Sequence, residues 1–196
     1  MNKKSITIII VLIIAIIGGY YIYSSEWFTL WRTPEPDKIS SEEVKQRYEK
    51  YLQAGLDEET AGNYESAILE YKKANKIAPG AIPPKNNIAE ICTKIEDYAC
   101  AEEWYLEIIK RAYEPSIVIK LSKLYKEKMN NNQKAIDILL SAYEAFPNYL
   151  DFAYQLGFLY KELGDRQNAL EYLNKALEIK PDDQNIKDLI GELNNQ

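Results

Sequence analysis

Residues 150–183 read LDFAYQLGFLYKELGDRQNALEYLNKALEIKPDD, and the fold can be inferred from this stretch. Its small residues Gly157, Ala169 and Ala176 are interleaved with the large apolar Leu156, Tyr160 and Leu173, a pattern suited to two helices whose backbones approach closely. Ala169 is the last of four alanines, Ala67, Ala101, Ala135 and Ala169, that stand 34 residues apart. A fixed period of this length marks a helical repeat array. Each helix pair exposes an apolar face too large to bury alone, and stacking on a neighbour gives one continuous core.

Composition removes most alternatives. The 196 residues allow one domain and an appendage. A formal charge of −6 argues against nucleic acid as a partner, since phosphate binding needs a cationic footprint. The chain has no histidine, which eliminates the commonest general base, the Ser-His and Cys-His nucleophile pairs and HExxH zinc sites. Two cysteines are too few for a disulfide-stapled fold or an all-protein zinc site. Acidic residues such as Glu42, Glu43, Asp57, Glu58 and Glu59 fall on helix surfaces without a convergent pocket, so a carboxylate-only glycosidase is rejected. No catalytic residue, cofactor or metal is expected, and the chain is read as a non-enzyme.

After a basic N-terminus, residues 1–4, the run 5–25 carries no charge and is apolar all round between Ile6 and Ile17. At ~1.5 Å per residue it is about 31 Å long, matching a hydrocarbon core of about 30 Å. It is expected to be a transmembrane helix, favoured over a cleaved signal peptide because Ile22-Tyr23-Ser24-Ser25 is a poor cleavage site. Segment 26–39 contains Trp27, Phe28 and Trp31, which with Tyr20, Tyr21 and Tyr23 form an aromatic belt, followed by a linker with Pro34 and Pro36. Lys3 and Lys4 adjoin the span, favouring a cytoplasmic N-terminus and an extracytoplasmic C-terminal domain. Ser40 and Glu43 resemble a capping box that opens the domain over residues 40–196.

Within that domain four units align at 48–81, 82–114, 115–149 and 150–183. The first carries Gly55, Gly62, Ala67, Tyr71, Ala74 and Pro79. The second carries Ala89, Cys92, Ala101 and Tyr105, but Ile108 fills a small slot and Pro115 comes late, so its second helix is expected to be lengthened or shifted. The third carries Leu121, Ser122, Tyr125, Ala135, Leu139, Ala142 and Pro147, with one extra residue assigned to the turn around Asn130-Asn131-Asn132. The fourth carries Leu156, Gly157, Tyr160, Gly164, Ala169, Leu173, Ala176 and Pro181. Ile186, Leu189, Ile190 and Leu193 lie at helical spacing in 184–196, as a C-terminal capping helix requires.

From residue 40 onward the sequence resembles the tetratricopeptide repeat family, whose unit is two antiparallel helices with small residues at positions 8, 20 and 27 and proline at 32. The resemblance implies an all-α, right-handed solenoid of about four helix pairs with a capping helix, working by protein or peptide binding. It places the concave face on the first helix of each repeat, at slots holding Asn86, Asn87, Glu90, Lys94, Lys120, Lys123, Tyr154, Gln155, Phe158 and Lys161. This amide, cationic and aromatic mixture suits an extended peptide. The carboxylate clamp of some family members is rejected, since Leu52, Leu56 and Ser116 replace its polar and basic residues.

Cys92, late in one helix, and Cys100, early in the next, lie at about the same level of an antiparallel hairpin. A disulfide and a pair of small buried apolar residues both remain open. The expected function is a membrane-anchored adaptor or assembly scaffold at the cell envelope, bound to the bilayer through residues 5–25. The alternative is a structural, self-associating homo-oligomer.

Overall fold

The computed structural model describes residues 41–195. The predicted N-terminus, span and linker, residues 1–39, lie outside them; no helix among the described residues is long and apolar enough to cross a membrane. The chain divides at Lys45–Gln46. Of the first unit only Ser41–Lys45, the opening of the first helix, is described, and the repeats belong to the second.

The elements are α1 (Ser41–Thr60), α2 (Tyr64–Ile77), α3 (Pro83–Lys94), α4 (Tyr98–Arg111), α5 (Pro115–Lys123) continuing into a π turn (Leu124–Lys128), α6 (Asn132–Ala145), α7 (Leu150–Glu162), α8 (Arg166–Ile179) and α9 (Gln184–Asn194). They form four helix hairpins and a final single helix. The described residues contain helices and no strands.

A shared turn sets each hairpin. Gly62, Glu96, Asn130 and Gly164 occupy the same place in the four turns and all have positive φ, at 80°, 64°, 49° and 76°. This left-handed residue stops the first helix. Next stands an Asn or Asp, and the side chains of Asp97, Asn131 and Asp165 accept bonds from the backbone N–H groups of Cys100, Lys134 and Asn168 to start the second helix. The capping residue's own N–H returns to the first helix, from Asn63 to Glu58 O, Asp97 to Cys92 O and Asp165 to Tyr160 O, at 2.8–2.9 Å.

The third repeat shows where its extra residue goes. Its turn is three residues long like the others, so the insertion is not in the turn; it is taken up as the π turn Leu124–Lys128, where the Met129 N–H reaches Leu124 O. Accordingly Asn131 returns to Tyr125 O, six residues back instead of five. The extra residue offsets a connection, 112–114, that is shorter than its counterparts 78–82 and 146–149. The alanine ladder therefore keeps its period. The second helix of repeat two is neither lengthened nor shifted, since α2, α4, α6 and α8 are all 14 residues long and start 34 apart.

Ala67, Ala101, Ala135 and Ala169 are fully buried where the helices of a pair meet. At Gly157 the approach is closer still: a Cβ would lie 2.7 Å from the Leu173 Cγ and 3.0 Å from its backbone N. Gly55 faces the Tyr71 ring in the same way, at 2.5 Å. The slot filled by Ala74, Ala142 and Ala176 holds Ile108 in repeat two, and that larger side chain is also buried. At the C-terminal end Ile186 and Leu193 of α9 pack with Ala153, Ala169, Leu173 and Ala176, closing the apolar face that repeat four would otherwise expose.

Repeat two has two further ties. Cys92 and Cys100 are joined as a disulfide across the hairpin, with Cα atoms 5.8 Å apart. Lys85, 2% exposed, donates from Nζ to the backbone carbonyls of Pro79 and Ala81 and stands 3.9 Å from Glu107 Oε1. Burial lowers its pKa, opposed by the Glu107 charge. Its ammonium holds the loop entering α3.

Candidate ligand groove

The first helices α1, α3, α5 and α7 border three hollows. The first, about 430 Å³, lies between α1 and α3 and is lined by Glu49, Leu52, Gln53, Leu56, Pro83 and Asn87. The second, about 220 Å³, is bordered by Glu90 and Thr93 on α3, Tyr105 on α4, and Lys120, Lys123, Leu124, Glu127 and Lys128. The third, about 280 Å³, lies between the π turn and α7, where Tyr154, Gln155, Phe158 and Glu162 face Lys123, Lys126 and Glu127 over a floor of Leu139 and Leu159. Lys123 and Glu127 line both the second and the third hollow, so these two adjoin.

Eight of the ten concave-face residues named from sequence are placed by these hollows and their bonding. Asn87 lines the first. Glu90, Lys120 and Lys123 line the second, and Asn86 joins them, donating from Nδ2 to Glu90 Oε1 at 3.1 Å and accepting from Lys120 Nζ at 2.8 Å. Tyr154, Gln155 and Phe158 line the third, the two rings lying 6.3 Å apart and inclined by 22°. The other two are elsewhere. Lys94 lies over the Tyr64 ring at 4.8 Å, and Lys161 pairs with Glu192 of α9 at 2.6 Å.

Sequence reading passed over Lys126 and Glu127. Lys126 lies 5.7 Å from the centre of the Phe158 ring and pairs with Glu162. Counting slots from Pro115 would have reached both residues, which take slots 12 and 13 of the same face.

The groove's cations are held by acids of adjacent helices. Lys120 bonds Glu90 and Lys126 bonds Glu162, each across a helix boundary, and outside the hollows Lys161 bonds Glu192 in the same way. Lys123 and Lys128, by contrast, form no ion pair with a described residue. The surface therefore offers amides, two cations without ion pairs among the described residues, aromatic faces and an apolar floor, which suits hydrogen bonding and stacking. Tyr105, at the base of the second hollow, is a poor acid at neutral pH because burial, helped by the Glu90 charge, pushes its pKa up to about 12. Among the described residues no cluster of three or more acids or cysteines is arranged to hold a metal.

Residues 150–183 match the sequence model of the tetratricopeptide repeat. No curated protein sequence matches the chain. Solved structures do. The crystal structure of the MamA protein superposes with a TM-score of 0.58 at 24% identity, over 77% of this chain and 82% of that one. pilF of Pseudomonas aeruginosa gives 0.55 at 20% identity, over 76% and 68%. YrrB, described as a TPR protein with an unusual peptide-binding site, gives 0.53 at 17%, over 78% and 82%. The fourth hairpin thus carries the sequence of a tetratricopeptide repeat, and the array as a whole has the tetratricopeptide fold.

Proposed function

We propose that this protein is a non-catalytic interaction module that holds an extended peptide or protein segment along its first-helix groove, and that residues 5–25 anchor it in a membrane as an adaptor or assembly scaffold of the cell envelope. The observation that carries the binding role is the adjacency of the second and third hollows, which share Lys123 and Glu127, with Tyr154 and Phe158 presented on one wall. Solenoids of stacked repeats use extended concave faces of this kind. The peptide-binding site described for YrrB supports the same mode of action on the same fold. Lys3 and Lys4 before the apolar run support an outward-facing array, and a Cys92–Cys100 disulfide suits an oxidising compartment.

The test is photocrosslinking in native membranes from benzoylphenylalanine placed at Gln155. One recurrent heterologous adduct, lost when Lys123→Glu and Phe158→Ala are combined, is the expected result. Adducts between copies of the chain alone would establish self-association instead. An adduct pattern indifferent to the double substitution would remove the groove from the mechanism.

A further inference from the structure

The second helices end in a shared slot, occupied by Ala78, Ala112, Phe146 and Lys180. Three of these are small or charged. Phe146 is neither, yet it is 45% exposed. Leaving so much of a phenyl ring in water forgoes part of the roughly 1.5–3 kcal/mol that full burial provides, so core packing does not explain its presence.

The ring belongs to a cluster formed from two loops. Tyr113, from the connection after α4, stacks on Phe146 with centroids 4.4 Å apart and planes inclined by 29°. Tyr113 also meets Phe152 edge-on at 6.5 Å, and Tyr149 packs on Phe152 at 4.7 Å. Phe152 is fully buried and fixes the base, whereas Tyr113 and Tyr149 are each 37% exposed. The result is an open aromatic platform across the connections that follow α4 and α6, composed of residues that line none of the three hollows.

Its rim is acidic. Glu114 follows Tyr113 directly in the chain and Asp151 stands between Tyr149 and Phe152; after burial, the charge of Asp151, a hydrogen bond to it and the charge of Glu114 hold the Tyr149 hydroxyl above its ordinary pKa. Glu114 accepts a bond from the Ser116 hydroxyl at 3.1 Å, and neither acid forms an ion pair with a described residue. Aromatic faces carry negative potential that attracts cations. Two uncompensated carboxylates add to it. A guanidinium meets both demands at once, stacking its plane on a ring while its edge donates to carboxylates, which a compact ammonium does less well.

We propose that Tyr113, Phe146 and Tyr149, with Glu114 and Asp151, form a second docking surface that receives an arginine side chain from a basic segment of a partner protein. The acidic rim disfavours an anionic lipid surface, and the surface is independent of occupancy of the groove.

The test uses the full-length protein in phosphatidylcholine nanodiscs and a fluorescent Gly/Ser peptide with two arginines, compared with lysine and citrulline versions by anisotropy. The arginine peptide is expected to bind best and the neutral citrulline peptide not at all. Phe146→Ser should weaken binding about three- to fivefold, the range for an exposed cation–π contact. Glu114→Gln with Asp151→Asn should weaken it as much while leaving every ring in place, which guards against misfolding of the first variant. Lys123→Glu in the groove should not weaken it. Equal binding by the parent and both platform variants would show diffuse attraction to an acidic protein and overturn the proposal, as would no binding. Crosslinking from benzoylphenylalanine at position 146 exclusively to lipid or to a second copy would overturn it too.

Discussion

Repeat four turns between its helices at Leu163-Gly164-Asp165, with glycine at a φ of 76°, while repeat two turns at Ile95-Glu96-Asp97, with glutamate at 64°. The helices after these turns have the same length and the same relative start. Where repeat four has Ala176, repeat two has Ile108, and both side chains are buried. Repeat four needs no covalent tie, whereas repeat two has the Cys92–Cys100 bond across its turn and the Lys85 ammonium on the loop leading into it. One backbone plan is thus reached in two ways, by residues that each fit locally and by residues that fit poorly but are braced. Whether the consensus residue at a position is the better one therefore depends on its surroundings.

Three substitutions measure the difference. Ile108→Ala restores the family residue, yet it should destabilise by about 3 kcal/mol, because the packed core around it would be left with a cavity. Urea unfolding of the full-length protein gives the value, and a neutral or stabilising result would mean that Ile108 is overpacked. Next comes the disulfide. Replacing Cys92 and Cys100 together by alanine should cost about 2.5 kcal/mol from the small loop that is closed, with the parent losing a similar amount in reductant. Thiol titration of unreduced protein should find both cysteines blocked, and amide exchange in the double variant should quicken first in α3 and α4. The smallest effect has the opposite sign. Glu96→Gly relieves a left-handed glutamate and should stabilise by about 1 kcal/mol, the steric relief exceeding the added freedom of the unfolded chain. If thermal unfolding shows no gain, contacts of the Glu96 side chain outweigh its backbone strain.

The sequence displayed repeat four almost entirely, because its small residues and its glycine turn each leave a distinct residue type at a fixed place. Repeat two was harder to read. Ile108 and Pro115 suggested an altered helix, but the connection 112–114 took the change, and sequence spacing cannot divide a one-residue difference between a loop and a helix. In repeat three the polar run Asn130-Asn131-Asn132 pointed to the turn as the place for the insertion. The turn has no room for it, since its left-handed residue and cap need fixed spacing, and the helix yielded instead. Asn86, Asn87, Glu90, Lys120, Lys123, Tyr154, Gln155 and Phe158, in or beside the hollows, stand at slots of a known face. The ion pairs were not legible, because they join helices 30 to 36 residues apart. The aromatic platform was hidden for a similar reason, as Tyr113 and Phe146 come from successive connections with no motif between them.

Those inter-helix pairs give the groove a selectivity of their own. Lys120, Lys126 and Lys161 already hold Glu90, Glu162 and Glu192. A carboxylate arriving at any of them meets a charge already neutralised by a resident glutamate, so whether it displaces that glutamate or shares the ammonium with it, it gains less than at a bare lysine. An amide, a backbone group or an aromatic ring faces no such competitor. The protein supplies its own occupant for each of these lysines, so an acidic ligand gains most at Lys123 and Lys128, which have no ion pair among the described residues.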